Sequence, residues 1–159
     1  MERIAIFPGS FDPFTRGHAA IVEQALLLFD KVVIGVGNNS LKCGFLPVES
    51  RFALVEELYR DEERVEVLSY SGLTSEFAKQ VGATALIRGV RNVHDFEYER
   101  SIESVNRRLN PDLITVVLLS PTSVADISSS IIRELFNFGA DVSELMPEGV
   151  DINRYMTWN

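Results

Sequence analysis

The amino-acid sequence predicts an α/β fold, with an open parallel sheet of five strands and helices on both of its faces. Short apolar runs rich in β-branched residues alternate along the chain with segments whose apolar residues recur at helical spacing. Because the strand-like runs are almost continuously apolar, both faces of the sheet are expected to be covered. Right-handed crossovers through the helices then connect the strands in parallel.

Five strands and four longer helices are predicted in alternation. The strands are Arg3 to Phe7, Val32 to Val36, Val65 to Leu68, Ala85 to Ile87 and Ile114 to Leu119. The helices are Gly17 to Phe29, Pro47 to Tyr59, Thr74 to Val81 and Asp95 to Leu109, with one or two short helices after Gly139. Pro47 suits a first helical position. Ligands of open α/β sheets bind beyond the carboxyl ends of the strands, so the five loops that follow the strands are expected to form the site.

Composition and charge narrow the classes of function. A length of 159 residues fits one domain, over 1–159. The net charge of -8 argues against a nucleic-acid partner, because sequence-independent binding depends on Lys and Arg. No apolar run approaches the roughly 20 residues of a membrane span, and residues 1–7 do not resemble a secretory signal, so a cytoplasmic location is expected. The single cysteine, Cys43, excludes an intrachain disulfide and a multi-cysteine zinc site.

The loop after the first strand reads Pro-Gly-Ser-Phe-Asp-Pro-Phe-Thr-Arg-Gly-His, from Pro8 to His18. Its glycines allow backbone to approach a phosphate, and the following helix offers free N–H groups and a positive dipole end. His18 in the first helical turn can donate a hydrogen bond to charge that develops on a phosphate. The alternative is a histidine whose hydrogen bonds are satisfied within the turn. The pattern matches neither the Gly-x-Gly-x-x-Gly motif nor the phosphate loop of kinases.

Two further segments carry groups that suit phosphate. Arg88-Gly89-Val90-Arg91 follows the fourth strand and leads into Asp95-Phe96-Glu97-Tyr98-Glu99; arginine forks match phosphate oxygens, although an ion-pair network would also explain them. Ile127-Ser128-Ser129-Ser130 follows the fifth strand; its serines can cap a helix or bind phosphate oxygens. Lys42, after the second strand, is by itself more typical of a surface lysine.

These motifs together resemble the phosphopantetheine adenylyltransferase family over nearly the whole chain. Thr-x-Gly-His and Ile-Ser-Ser-Ser-x-x-Arg are typical of the wider nucleotidylyltransferase superfamily, and the segment from Arg88 to Glu99 is specific to this member. The resemblance implies a Rossmann-like fold and transfer of AMP from ATP to 4′-phosphopantetheine, giving dephospho-coenzyme A and pyrophosphate. It also implies Mg²⁺ bound through the ATP phosphates with no metal ligand from the protein, a homohexamer, and coenzyme A as a feedback ligand.

The resemblance also assigns residues to roles. The catalytic group is His18, Lys42, Arg91 and Ser129. The ATP site comprises Ser10, Phe11, His18, Gly89, Val90, Arg91, Glu99, Val124, Ala125, Asp126, Ile127, Ser128, Ser129 and Ser130. The phosphopantetheine site comprises Ser10, Lys42, Thr74, Arg88 and Glu134, with Lys42 and Arg88 on its phosphate.

The chain departs from the usual family pattern at three places. Leu41 replaces a lysine, Thr74 replaces an apolar residue, and Val124-Ala125-Asp126 replaces a commonly aromatic run. Two other interpretations stay open on the sequence. One is a different nucleotidylyltransferase of the same fold, for example one that acts on nicotinamide mononucleotide; the other is a nucleotide-binding module without catalytic activity.

Overall fold

The computed structural model describes residues 1–156 and contains one sheet of five strands, all of them parallel. The strands are β1 (Ile4–Gly9), β2 (Lys31–Gly37), β3 (Val65–Tyr70), β4 (Ala85–Val90) and β5 (Ile114–Leu119). Their order across the sheet is β3-β2-β1-β4-β5, so the chain reverses its direction of winding between β1 and β4. The predicted α/β class and Rossmann-like sheet are confirmed. The predicted end of the domain at residue 159 lies outside the described residues.

In the part of the chain that the structure describes, five α-helices connect or follow the strands. They are α1 (Arg16–Ala25), α2 (Val48–Leu58), α3 (Thr74–Gln80), α4 (Val93–Leu109) and α5 (Ser129–Asn137). Two short 3-10 helices, Ser143–Leu145 and Ile152–Tyr155, lie where short terminal helices are expected.

The starts of three helices follow from side-chain caps. Thr15 accepts the backbone N–H of His18, and Ser128 accepts that of Ile131, at the starts of α1 and α5. Asn92 caps α4 through the N–H of Asp95, so this helix begins two residues earlier than predicted. Pro47 is the residue before the first turn of α2 instead of the predicted first helical residue.

Alternate residues of the central strands enter two cores on opposite faces of the sheet. Phe7 and Ile34 join the core that contains α1 and α2, whereas Ile6 and Val33 join the core that contains Phe77 of α3. This alternation is the period-two geometry of a strand that is covered on both faces. The sheet therefore holds helices on both faces, as predicted.

The sheet opens between β1 and β4, where the chain reverses its direction of winding. Strands β1 and β2 pair in register over six residues, but β1 and β4 pair only at Ala5↔Ala85 and Ile6↔Leu86. Beyond Ile6 the two strands diverge toward their carboxyl ends. The guanidinium of Arg88 spans the gap, where its Nη1 donates to the carbonyl oxygen of Pro8 at 3.1 Å. The separation leaves a crevice where open α/β sheets bind ligands.

Candidate functional site

A cavity of about 370 Å³ occupies the crevice between the carboxyl ends of β1 and β4. Four segments of chain form its wall: the loop after β1, the first turn of α1, the end of β4 with the start of α4, and the start of α5. The lining residues are Phe7, Pro8, Gly9, Ser10, Phe11, Thr15, Gly17, His18, Ile21, Arg88, Gly89, Arg91, Asp95, Tyr98, Glu99, Ser120, Ile127, Ser128 and Ser129. The N-terminal turns of α1, α4 and α5 all contribute to this wall, and helix N-termini favour negative charge.

His18 lines this cavity, and its own turn determines its tautomer. The backbone N–H of Thr15 donates to Nδ1 of His18 at 2.9 Å. A nitrogen that accepts a hydrogen bond carries no proton, so in the neutral ring the proton is on Nε2. Nδ1 of His18 is therefore hydrogen-bonded within its own turn, while the N–H of Nε2 is left to donate to a ligand. The two interpretations of this histidine that the sequence left open are thus compatible.

The charge state of His18 follows from its surroundings. Burial is the largest cause that lowers its pKa to about 4, and the positive charges of Arg91 and Arg88 contribute to the same shift. The imidazole is thus neutral near pH 7. A neutral donor presents an N–H to a phosphate without adding a buried charge.

Phe11 supports the ring of His18 from the side. It has a positive φ of 48°, an uncommon conformation for a residue with a side chain, and it is 3% exposed. Its ring lies edge-on to the imidazole, with 5.1 Å between centroids, and Phe14 packs at 5.2 Å from the same imidazole. Phe11 therefore lines the predicted ATP site mainly as part of the packing that orients His18.

Arg88 is held by a carboxylate that is itself buried. Its Nε and Nη2 each donate to an oxygen of Glu99 at 2.6 Å, and Glu99 is 8% exposed. With the bond to Pro8, three of its five N–H groups are used, which leaves two for a ligand. The predicted ion-pair network is present, and it fixes the guanidinium at the cavity wall.

Arg91 makes a second, more exposed ion pair. Its Nε donates to Oδ2 of Asp95 at 3.1 Å, and its backbone N–H donates to the same oxygen at 3.0 Å. Burial opposes ionisation of Asp95, but the hydrogen bonds from Arg91 and its charge lower the pKa of this carboxyl overall. Both arginines of the Arg-Gly-x-Arg motif thus lie on the cavity, each oriented by an acid from α4.

The serine loop at the start of α5 closes the far side of the cavity. Ser128 caps the helix, and Oγ of Ser129 donates to the carbonyl oxygen of Pro13 at 2.8 Å. Arg133, one turn later, donates to the carbonyl oxygen of Asp12 at 2.9 Å. Capping accounts for Ser128, while Ser129 and Arg133 join α5 to the loop between β1 and α1, which carries Ser10.

Two smaller cavities adjoin the first and share Pro8 and Arg88 with it. One, of about 250 Å³, is lined by Pro8, Gly9, Ser10, Gly37, Asn38, Asn39, Tyr70, Gly72, Thr74 and Arg88. The other, of about 130 Å³, is lined by Pro8, Thr74, Leu86, Arg88, Glu99, Ile102, Glu103, Asn106 and Thr115. Thr74, one of the departures from the family pattern, is within 3.0 Å of the hydroxyl of Tyr70 through its Oγ1. Ser10 and Arg88 therefore lie where two neighbouring ligands would meet.

The structure does not bring every predicted site residue to these cavities. Lys42 is exposed in the loop after β2, and Glu134 is exposed on α5. Val90 is buried at the end of β4, and Val124 packs in the core. None of these four lines the three cavities, nor do Ala125, Asp126 and Ser130.

Sequence patterns missed several residues of the site. Tyr98, Asn38 and Asn39 line cavities, although the motifs assigned none of the three a role. Asp12 accepts the backbone N–H groups of Phe45 and Leu46, each at 2.7 Å, and so joins the loop after β1 to the loop before α2. The position of Asp12 within Gly-Ser-Phe-Asp-Pro was a signal that could have identified it.

The donor set of the cavity bears on a divalent cation. Within residues 1–156, no three His, Cys, Asp or Glu side chains are grouped so as to hold a metal ion. Asp95 and Glu99, the carboxylates on the cavity wall, are both paired with arginines. This arrangement fits a cation held by ligand phosphates and water instead of a cage of protein ligands.

Within residues 1–156, no helix combines the length and apolar character of a membrane span.

Comparison with known proteins agrees with this geometry. The family model described as cytidylyltransferase-like matches residues 6–135. Phosphopantetheine adenylyltransferase of Bacteroides thetaiotaomicron is 45% identical over 151 residues, which are 95% of this chain and 99% of that protein. The enzyme of the same name from Cytophaga hutchinsonii is 48% identical over 147 residues, 92% of this chain and 98% of the relative.

A solved structure shows the same fold at low sequence identity. It is a bifunctional NMN adenylyltransferase/ADP ribose pyrophosphatase from Francisella tularensis, with a TM-score of 0.69 and 19% identity. The match covers 92% of this chain but only 45% of that protein, and it bears on the fold alone. The near-complete matches to curated relatives, together with the crevice built from all three motifs, show that the chain belongs to the phosphopantetheine adenylyltransferase family.

Proposed function

We propose that this chain transfers AMP from ATP to 4′-phosphopantetheine, reversibly, and forms dephospho-coenzyme A and pyrophosphate as a step of coenzyme A biosynthesis. The observation that carries the proposal is the convergence of His18, two oriented arginines and three helix N-termini on one crevice, with a second cavity beside it. Such a site favours a polyphosphate, and the adjoining cavity supports the binding of an acceptor next to it. Family membership supports the choice of acceptor.

The reaction requires positioning and charge stabilisation, without a covalent intermediate on the enzyme. A phosphate oxygen of the acceptor forms a bond to the α-phosphorus of ATP, and the bond from that phosphorus to the bridging oxygen breaks, so that pyrophosphate leaves. His18 donates from Nε2 toward the α-phosphate as charge redistributes. Arg91 and Ser129 act on the polyphosphate. Lys42 and the free N–H groups of Arg88 hold the acceptor phosphate, with Lys42 reaching it from its exposed loop.

The remaining assigned residues complete the two substrate sites. ATP lies against Ser10, Phe11, Gly89, Val90, Glu99 and the segment Val124, Ala125, Asp126, Ile127, Ser128, Ser129 and Ser130. The pantetheine arm meets Thr74 and Glu134. The phosphates of ATP, and no side chain of the protein, would hold Mg²⁺, which would supply positive charge against the leaving pyrophosphate. A cytoplasmic location, a homohexameric assembly and feedback binding of coenzyme A belong to the same proposal.

The deciding experiment measures pyrophosphate release from ATP and Mg²⁺ with one acceptor at a time. Release with phosphopantetheine, and none with nicotinamide mononucleotide or phosphocholine, is the expected result. Release with nicotinamide mononucleotide alone would assign the chain to the alternative transferase. Nucleotide binding without release from any acceptor would identify a module without catalytic activity.

A further inference from the structure

Arg51 is a buried cation that the proposed reaction does not use. It lies on α2, is 7% exposed, and donates only to backbone carbonyl groups. Its Nε reaches the oxygen of Leu46 at 3.2 Å, and its Nη1 reaches those of Ser10 at 2.5 Å and Gly37 at 3.0 Å. Within residues 1–156 no carboxylate lies within salt-bridge distance of it. A buried arginine without an acidic partner is uncommon, because burial disfavours an unpaired charge.

The three carbonyl groups that Arg51 binds belong to two segments that flank the 250 Å³ cavity. One segment is the loop after β1, and the other runs from the end of β2 to α2. Ser10 follows β1, Gly37 ends β2, and Leu46 ends the segment that leads from β2 to α2. Ser10 and Gly37 line the 250 Å³ cavity, whereas Arg51 lines none of the three cavities. One guanidinium therefore holds both ends of the loop that carries Lys42 and fixes that loop to Ser10.

A second contact joins the same two loops. The carboxylate of Asp12 accepts from Phe45 and Leu46 with one oxygen each, at 2.7 Å. Hydrogen bonds to an ionised acceptor are roughly twice as strong as neutral ones. The loop after β1 is thus bound to α2 through Arg51 and to the Lys42 loop through Asp12. Ser129 and Arg133 bind the same loop to α5.

We propose that Arg51 is a positioning residue: it sets the distance between Ser10 and the loop that carries Lys42, and so places Lys42 for the acceptor phosphate. The proposal rests on the proposed function, since it assigns Lys42 to that phosphate. A planar guanidinium can donate in two directions from one fixed plane, whereas a lysine ammonium has no rigid fork. Arg51→Lys keeps the charge and removes this geometry.

The first measurement distinguishes an effect on acceptor binding from an effect on ATP binding. Losing one or two hydrogen bonds of this kind corresponds to about a tenfold change, so Arg51→Lys should raise KM for phosphopantetheine about tenfold and lower kcat. The Kd for ATP, measured by calorimetry without the acceptor, should stay within about twofold of wild type. Arg64→Lys is the matched control, because Arg64 also donates to a backbone carbonyl, that of Leu26, but is exposed. It lies just before the amino end of β3, whereas the site lies at the carboxyl ends of the strands.

A double-mutant cycle with Lys42→Ala tests whether Arg51 acts through Lys42. If it does, Arg51→Lys should add little to the acceptor KM once Lys42 is gone. Fully additive effects, or equal changes in ATP and acceptor binding, would overturn the proposal. So would an Arg51→Lys enzyme that is less stable to heat but has unchanged kinetics.

A second variant tests the proposal if the Arg51→Lys protein does not fold. Asp12→Asn weakens the other contact between the loops and should raise the acceptor KM in the same direction. If neither variant folds, the two contacts serve the fold alone and the proposal is wrong. Wild-type protein is assayed in parallel: no pyrophosphate release with phosphopantetheine would refute the proposed function, whereas an active wild type with unaltered variants would refute only the role of Arg51.

Discussion

A single backbone hydrogen bond determines which nitrogen of His18 faces the ligand. The N–H of Thr15 occupies Nδ1, so the donor toward the cavity is Nε2. The neighbouring arginines reinforce this state, because their charges disfavour a second proton on the ring. At the scale of the residue, the site holds a neutral donor among cations, which suits a phosphate that gains charge as its bonds change.

The first prediction concerns turnover. His18→Ala should lower kcat by on the order of a hundredfold or more, because it removes a donor that acts on the redistributing charge. ATP affinity should change little, since the arginines and helix N-termini remain. Steady-state kinetics and ATP titration measure the two effects, with His94→Ala as the control at the other, exposed histidine. Near-normal turnover by a folded His18→Ala protein would contradict the catalytic assignment.

The second prediction concerns pH. Because the pKa of His18 is lowered to about 4, its imidazole signals in NMR should stay unchanged from pH 8 to pH 6 and shift only near pH 4. The unfolded chain takes up this proton near pH 6.5, so the stability owed to His18 is fully present above pH 6.5 and is lost as the pH falls toward 4. His94→Gln assigns the signals, since the chain has two histidines. A His18 midpoint at or above 6.5 would refute the effect of burial.

At the scale of the element, local signals in the sequence predicted the strands and helices, but they did not predict the contacts between loops. Nearly continuous apolar runs rich in β-branched residues predicted the strands, and the capping residues Thr15 and Ser128 account for the starts of α1 and α5. Patterns in sequence have a range of a few residues. The bond from Arg51 to Ser10 joins residues 41 positions apart, so no local pattern could indicate it.

The limits of motif reasoning are visible in the α4 segment. Arg88 and Glu99 were assigned to two different substrates, yet they form one bidentate pair. The exposed position of Lys42 likewise depends on the path of its loop, which composition does not determine. Motifs identified the chemistry of this site, but the geometry that connects its parts arises from tertiary contacts.

The third prediction tests the packing of α1 on β4. A Cβ added at Gly89 would lie 2.8 Å from Cγ1 of Ile21, one turn after His18 on α1. Gly89→Ala should therefore push α1 from β4, cost about 1–3 kcal/mol of stability, and lower kcat/KM. Thermal unfolding and steady-state kinetics measure both. Ile21→Ala in the same chain makes room for the new methyl group, so the double variant should lose less than the two single variants together; strict additivity would argue against this contact.

At the scale of the whole molecule, α4 leaves an apolar surface exposed. Of its 17 residues only Glu99 is buried, while Tyr98, Val105 and Leu109, which share one face of the helix, are exposed. A run of exposed apolar side chains along one helix is typical of a surface that pairs with another chain. This surface supports the proposed homohexamer and indicates one of the elements that would form it.

The fourth prediction is therefore an assembly. Light scattering should give a mass six times the 17.8 kDa of one chain. Val105→Lys places a charge on the apolar surface of α4 and should shift the mass to smaller species, whereas Leu27→Lys, at a still more exposed apolar residue after α1, should not. A monomer at assay concentration would exclude the hexamer, and an unchanged mass for Val105→Lys would exclude α4 from its interfaces.

The narrow pairing of β1 with β4 has a consequence for the dynamics of the protein. The sheet consists of two ribbons, one of three strands and one of two, which share only two residue pairs. The ribbon of β4 and β5 can thus open away from its neighbour at a lower cost than either ribbon can unravel internally. A nucleotide bound in the crevice as proposed would contact both ribbons and would stabilise the closed arrangement of the two. Amide hydrogens of β4 and β5 should then exchange with solvent more slowly when ATP is bound, and the change should spread well beyond the residues that touch it.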